Sequence, residues 1–141
     1  MFVLDTNVVS ELRKARTGKA NKGVTDWAEG VPAALMFLSV ISLQELEHGV
    51  LLAERRDPPQ GKLLRAWLDD SVVPAFADRM ISVDAPVAVQ AAALHVPDPA
   101  PVRDALIGAS ALVHGMAVVT RNVADFERFA GLDVINPWTD T

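Results

Sequence analysis

The chain contains no cysteine, so it has neither a disulfide framework nor a thiolate metal site. No apolar run approaches the roughly 18 residues that a membrane span requires. A secretory leader is not expected, because Asp5 and Glu11 interrupt the start and no basic stretch precedes an apolar segment. His48, His95 and His114 are far apart and show no paired metal-ligand spacing. There is no glycine-rich phosphate loop and no G-x-S-x-G elbow. Internal repeats, linkers and low-complexity segments are also missing. The net charge of −5 argues against a simple nucleic-acid binder. These absences leave a soluble, cytoplasmic protein with no membrane partner as the expectation.

What remains is a chain of 141 residues, half of them hydrophobic. That is enough for one domain over residues 1–141 with a core that needs no staples. Short apolar runs alternate with helical patterns. "FVLD", "ALMFLSVI", "RMISV", "MAVVT" and "LDVIN" read as strands. "NVVSELRK" reads as a helix capped by Thr6 or Asn7, and "VTDWAEGV" as a short helix. "LQELEHGVLLAERR" is expected to be a helix capped by Ser42. Pro58 and Pro59 are expected to break the chain, and Pro74 to end or kink the next helix. "APVAVQAAALH", "VRDALIGASALVHG" and "VADFERFAG" complete the helices, with Gly115 as a C-cap. The alternation predicts an α/β fold, a parallel five-stranded sheet flanked by helices on both faces. In such folds ligands gather beyond the carboxyl ends of the strands.

Five of the 13 basic residues fall within ten positions: Arg13, Lys14, Arg16, Lys19 and Lys22. No acid lies among them. The stretch is either a solvated loop or a phosphate-attracting patch on an acidic protein.

Four acids stand at element ends. Asp5 follows the first strand, where an aspartate either caps a helix or works chemically. Glu45 completes Ser42-x-x-Glu45, a capping-box pattern. Glu47, two positions on, is expected to be solvated. Asp104 falls early in a helix whose positions 104, 108, 111 and 115 are Asp, Gly, Ala and Gly. That row of small residues would bring the helix close to the sheet and hold Asp104 near it; the alternative is a favourable anion near a helix N-terminus. Asp125 lies in "TRNVADFE", where Thr120 and Asn122 supply neutral oxygens. Carboxylates gathered at strand ends and helix starts suit a hard divalent cation, and without one they would repel each other.

The stretches "FVLDTNVVSELRK", "LSVISLQELEHGV", "RDALIGASALVHGMAVVTRNVADFE" and "VINPW" occur in family order along the chain. On them the sequence resembles the PIN-domain ribonucleases, specifically the VapC toxins of bacterial toxin–antitoxin pairs and their FitB-like branch. The resemblance implies a PIN-like fold over 1–141. It also implies a metal pocket built from Asp5, Glu45, Asp104 and Asp125, accompanied by Asn7, Thr120 and Asn122. Gly108, Ser110 and Arg103 are mild departures that remove no catalytic position. The implied activity is Mg²⁺-dependent endoribonuclease cleavage, with Mn²⁺ as a substitute. The implied partners are an RNA substrate, a VapB-type antitoxin and a second copy in a homodimer. A larger toxin–antitoxin complex would sit on operator DNA through the antitoxin. Two rival readings are a non-catalytic RNA-binding PIN module and another Mg²⁺-dependent phosphoryl-transfer enzyme.

Overall fold

A computed structural model describes residues 1–139. Its centre is β1, Phe2–Leu4, a run too short and too apolar to be stable except between other strands. It is flanked by β2, Met36–Ser39, and β4, Ala117–Val119. Outside them lie β3, Met80–Ile81, and β5, Val134–Ile135. The order is β3-β2-β1-β4-β5, and every pairing is parallel. The chain builds outward from β1 through β2 to β3, then returns to add β4 on the other side. The junction between β1 and β4 is therefore the point where the winding reverses, the place where open parallel sheets bind ligands.

Successive residues of β1 serve opposite faces, as strand geometry requires. Leu4 packs with Val8, Leu38, Leu46, Val50 and Leu68 on one side. Val3 packs with Ala105, Ile107, Val118, Phe126 and Phe129 on the other. Helices cover both. The first face carries α1 (Thr6–Arg13), α3 (Val40–Arg56) and α4 (Pro58–Trp67), and α2 (Lys22–Gly30) adds Val24 to it. The second carries α7 (Val102–His114) and α8 (Val123–Glu127), with α6 (Ala85–Leu94) packed on α7. The α/β architecture is thus as expected.

Several helix boundaries differ from expectation. Asp5 itself caps α1, accepting from the Thr6 amide, so neither Thr6 nor Asn7 is the cap. Ser39, not Ser42, caps α3, because the helix begins directly off β2. Pro58 and Pro59 start α4 rather than break the chain: Asp57 caps it, and the first helical positions need no amide donor. Pro74 is preceded by a π turn, Leu68–Val72, and sits in the short α5, Val73–Ala75. Its ring would crowd the carbonyl of residue 70, and the widened turn makes room. Gly115 ends α7 with φ +66, as its expected capping role requires. Gly108 meets Phe129 and Leu132 rather than the sheet, so the small-residue row admits the segment after α8.

Candidate active site

Asp5 extends β1 by one residue: its amide donates to the Val119 carbonyl at 2.9 Å. Thr120 extends β4 in the same way, beside it. The Thr120 hydroxyl donates to Asp5 Oδ2 at 2.8 Å, and the Thr6 amide to Asp5 Oδ1 at 2.8 Å. Both carboxylate oxygens are therefore held, on a residue only 6% exposed. Asn7 Nδ2 adds a longer bond to Oδ2 at 3.4 Å, and the Asn122 amide donates to Thr120 Oγ1 at 2.9 Å. The switch point thus carries one rigid knot made from the ends of two adjacent strands.

Glu45 reaches this knot from the second turn of α3. The Thr6 hydroxyl donates to Glu45 Oε1 at 3.1 Å, a bond that replaces the expected capping box. Arg103 Nη1 stands 3.8 Å from Glu45 Oε2. Asp104, in the first turn of α7, faces the same space. Asp5, Asn7, Glu45, Asp104 and Asn122 all line one cavity of about 430 Å³.

A PIN-domain family model matches residues 2–132. The chain belongs to the PIN-domain family. This PIN domain is 36% identical to the VapC ribonuclease Y4jK of Sinorhizobium fredii, over 98% of each protein. It is also similar to the crystal structure of FitAcB from Neisseria gonorrhoeae. The TM-score is 0.87 at 31% identity, covering 98% of this chain and 99% of that one. A structure of FitAB bound to an IR36 DNA fragment gives the same TM-score at 30% identity, over 99% and 96%. The likeness to VapC and FitB proteins expected from the motifs is borne out.

The fourth acid of this PIN domain is placed differently from the other three. Asp125 is exposed in α8 and does not line the cavity. Its charge nevertheless acts on both Asp5 and Asp104. Burial pushes Asp104 up to about 6, and the charges of Asp5, Asp125 and Glu45 add to it. Burial also raises Asp5, against the bonds from Thr120 and Thr6, with the charge of Asp125 adding to the rise. Glu45 is raised chiefly by burial; the Thr6 bond opposes this, the Asp5 charge adds to it, and Arg103 opposes it.

These acids fit a divalent metal of the hard kind. The donors are all oxygens, and a dication would relieve the burial and repulsion that raise them. Among the described residues, no three acids or histidines form a ready-made ion cage. An ion such as Mg²⁺, which takes one or two carboxylates and keeps several waters, needs no such cage.

Sequence reading missed part of the cavity wall. Thr6, Ser10, Glu11, Lys14, Arg121 and Trp138 also line it. Trp138 lies in "VINPW", quoted for the resemblance but without a role. The basic stretch is divided by the fold. Lys14 reaches the cavity and pairs with Glu11, Arg13 lies over the Trp67 ring, and Lys22 pairs with Asp26.

Proposed function

We propose that this PIN domain is a metal-dependent endoribonuclease, the toxin of a type II toxin–antitoxin pair. The observation that carries the reading is the convergence of Asp5, Glu45 and Asp104 on one cavity at the switch point of the sheet. The Sinorhizobium relative is named a VapC ribonuclease, which supports the substrate class. The domain would comprise residues 1–141 and act in the cytoplasm; among the described residues no helix is long and apolar enough to cross a membrane.

Asp5, Asp104 and Glu45 would hold Mg²⁺ or Mn²⁺, with Asp125 in support. When bound, the ion would polarise a phosphoryl oxygen and lower the pKa of water. Thr120 and the Thr6 amide fix the Asp5 carboxylate. The Thr6 hydroxyl aims Glu45, whose raised basicity suits it to take a proton from the attacking water. Asn7 and Asn122 orient water or phosphate, and Lys14 draws the RNA backbone. In-line attack leaves a 5′-phosphate and a 3′-hydroxyl.

A VapB-type antitoxin, a homodimer and a larger assembly on operator DNA complete the proposal. The FitAB structure on DNA supports the last. The test is cleavage of structured RNAs by the purified protein with Mg²⁺ or Mn²⁺, and with EDTA. Cleavage that needs the metal and is lost in Asp5→Asn is the expected result. Cleavage persisting in EDTA would overturn the mechanism. Tight, metal-independent RNA binding without cleavage would favour the binding module, and turnover of a generic phosphomonoester the other phosphoryl-transfer reading.

A further inference from the structure

Arg121 and Trp138 form a cation–π pair on the cavity wall, and the metal chemistry above uses neither. The Arg121 guanidinium lies over the Trp138 ring, 5.6 Å from its centroid. Both line the cavity that holds Asp5, Glu45 and Asp104. Arg121 is exposed and Trp138 half-buried, so the guanidinium is the more open of the two to an incoming strand.

The fold anchors this pair closely. The Trp138 amide donates to Asn136 Oδ1 at 3.0 Å. The Asn21 side chain clasps the Thr139 backbone through two bonds, at 2.7 and 3.0 Å. A Cβ at Gly23 would strike the Pro137 carbonyl and Thr139, so only glycine lets the tail lie this close to α2. On the other side, the Arg121 amide donates to Asn7 Oδ1 at 3.4 Å, two residues from Asp5. The pair is thus tied to the same knot that holds the acids.

A planar cation over an indole, beside an acidic cavity, has the chemistry of a base-binding surface. Every nucleobase offers a π-face, and single-stranded RNA is held by stacking on aromatic rings and guanidinium planes. A base within a duplex is already stacked and is not available. We propose that Arg121 and Trp138 form a nucleobase platform, on which one base of single-stranded RNA stacks next to the phosphate in the acidic cavity. This rests on the ribonuclease reading and deepens it by naming the two residues that would hold a base beside the acids.

The test compares two fluorescein-labelled strands of about twelve nucleotides, oligouridine and an abasic ribose-phosphate of the same length. Binding to the whole protein is read by fluorescence anisotropy in EDTA. The wild type is expected to bind oligouridine roughly tenfold tighter than the abasic strand. Arg121→Lys keeps the charge but removes the plane, and brings the ratio to about one. Trp138→Ala does the same, while Trp138→Phe preserves the preference. Melting curves establish that each variant is folded. A wild-type ratio near one overturns the platform whatever the variants do, as does no measurable binding of either strand. A tenfold preference surviving in folded Arg121→Lys and Trp138→Ala overturns it too. Metal-dependent RNA cleavage together with a ratio near one removes the platform alone. Absence of any metal-dependent cleavage removes the ribonuclease reading.

Discussion

Glu45 and Glu47 lie two residues apart on α3 and belong to opposite kinds of acidic cluster. Glu47 accepts a bidentate pair of bonds from Arg65, at 2.7 and 2.6 Å. The same guanidinium reaches Glu54 on α3 at 3.2 Å and Asp69 at 3.4 Å. One cation thus serves three carboxylates at the exposed α3–α4 junction, and its bond to Glu47 holds that carboxyl below the usual range. Glu45 faces inward, where burial raises it and the nearest cation is 3.8 Å away on an exposed side chain. The two clusters differ in how tightly a cation accompanies them. The structural cluster is gripped bidentately by its own cation; the cavity acids have only the looser Arg103 pairing at 3.8 Å, with Lys14 and Arg121 on the wall, so mutual repulsion remains that a bound dication would relieve.

The largest test of this contrast is Asp5→Asn. RNA cleavage is expected to fall by about 10²–10³-fold or more, while the melting curve shows a folded protein. Asparagine caps a helix as well as aspartate does, so loss of activity through unfolding is not expected.

Next in size is the pH dependence of stability without metal. Asp104 titrates near 6 in the folded protein, against 3.8 when unfolded, so the native state binds the proton more readily. Stability therefore falls as pH rises through about 4 to 6, and the penalty is fully present above that window. Asp104→Asn at pH 7.5 should raise stability by on the order of 1–2 kcal/mol after allowance for solvent screening. The gain should vanish below pH 4, as thermal melts across pH would show. Added Mn²⁺ should raise the wild-type melting temperature and flatten this pH dependence.

Arg103→Ala sharpens the comparison from the other direction. With that cation gone, the cavity becomes more negative, and the Mn²⁺ concentration for half-maximal cleavage should drop about twofold. The smallest effect on activity is expected from Arg65→Met. It removes the counter-charge of the outer cluster and should lower the melting temperature modestly while leaving cleavage rates unchanged.

Much of this was legible from the strands. "FVLD" and "MAVVT" are apolar runs ending in polar residues, and the sheet duly places Asp5 beside Thr120. The helix starts were harder, because capping residues cluster. Asp5, Thr6 and Asn7 can all cap, as can Ser39 and Ser42, and the strand-to-helix junction decides which does. Starting α3 at Val40 buries Ser42 within it, where its hydroxyl has no hydrogen-bond partner among the described residues. That start also releases Glu45 from the capping box and leaves it for Thr6. The Arg65 cluster joins residues up to 18 positions apart, across a helical hairpin that local pattern does not reveal. Trp138 was visible only as a motif, since its place beside Arg121 depends on the tail crossing α2 at Gly23.

The order β3-β2-β1-β4-β5 also has a consequence in time. Asp5 is made 115 positions before its Thr120 partner, and Asp104 only shortly before Thr120. A nascent chain that has not yet reached Asp104 has the first carboxylate but neither the hydroxyl that orients it nor the α7 acid across the cavity. The parts of the cavity thus lie far apart along the chain, so a growing polypeptide lacks the complete site that the proposed RNA cleavage would need until α7 and β4 have both been made.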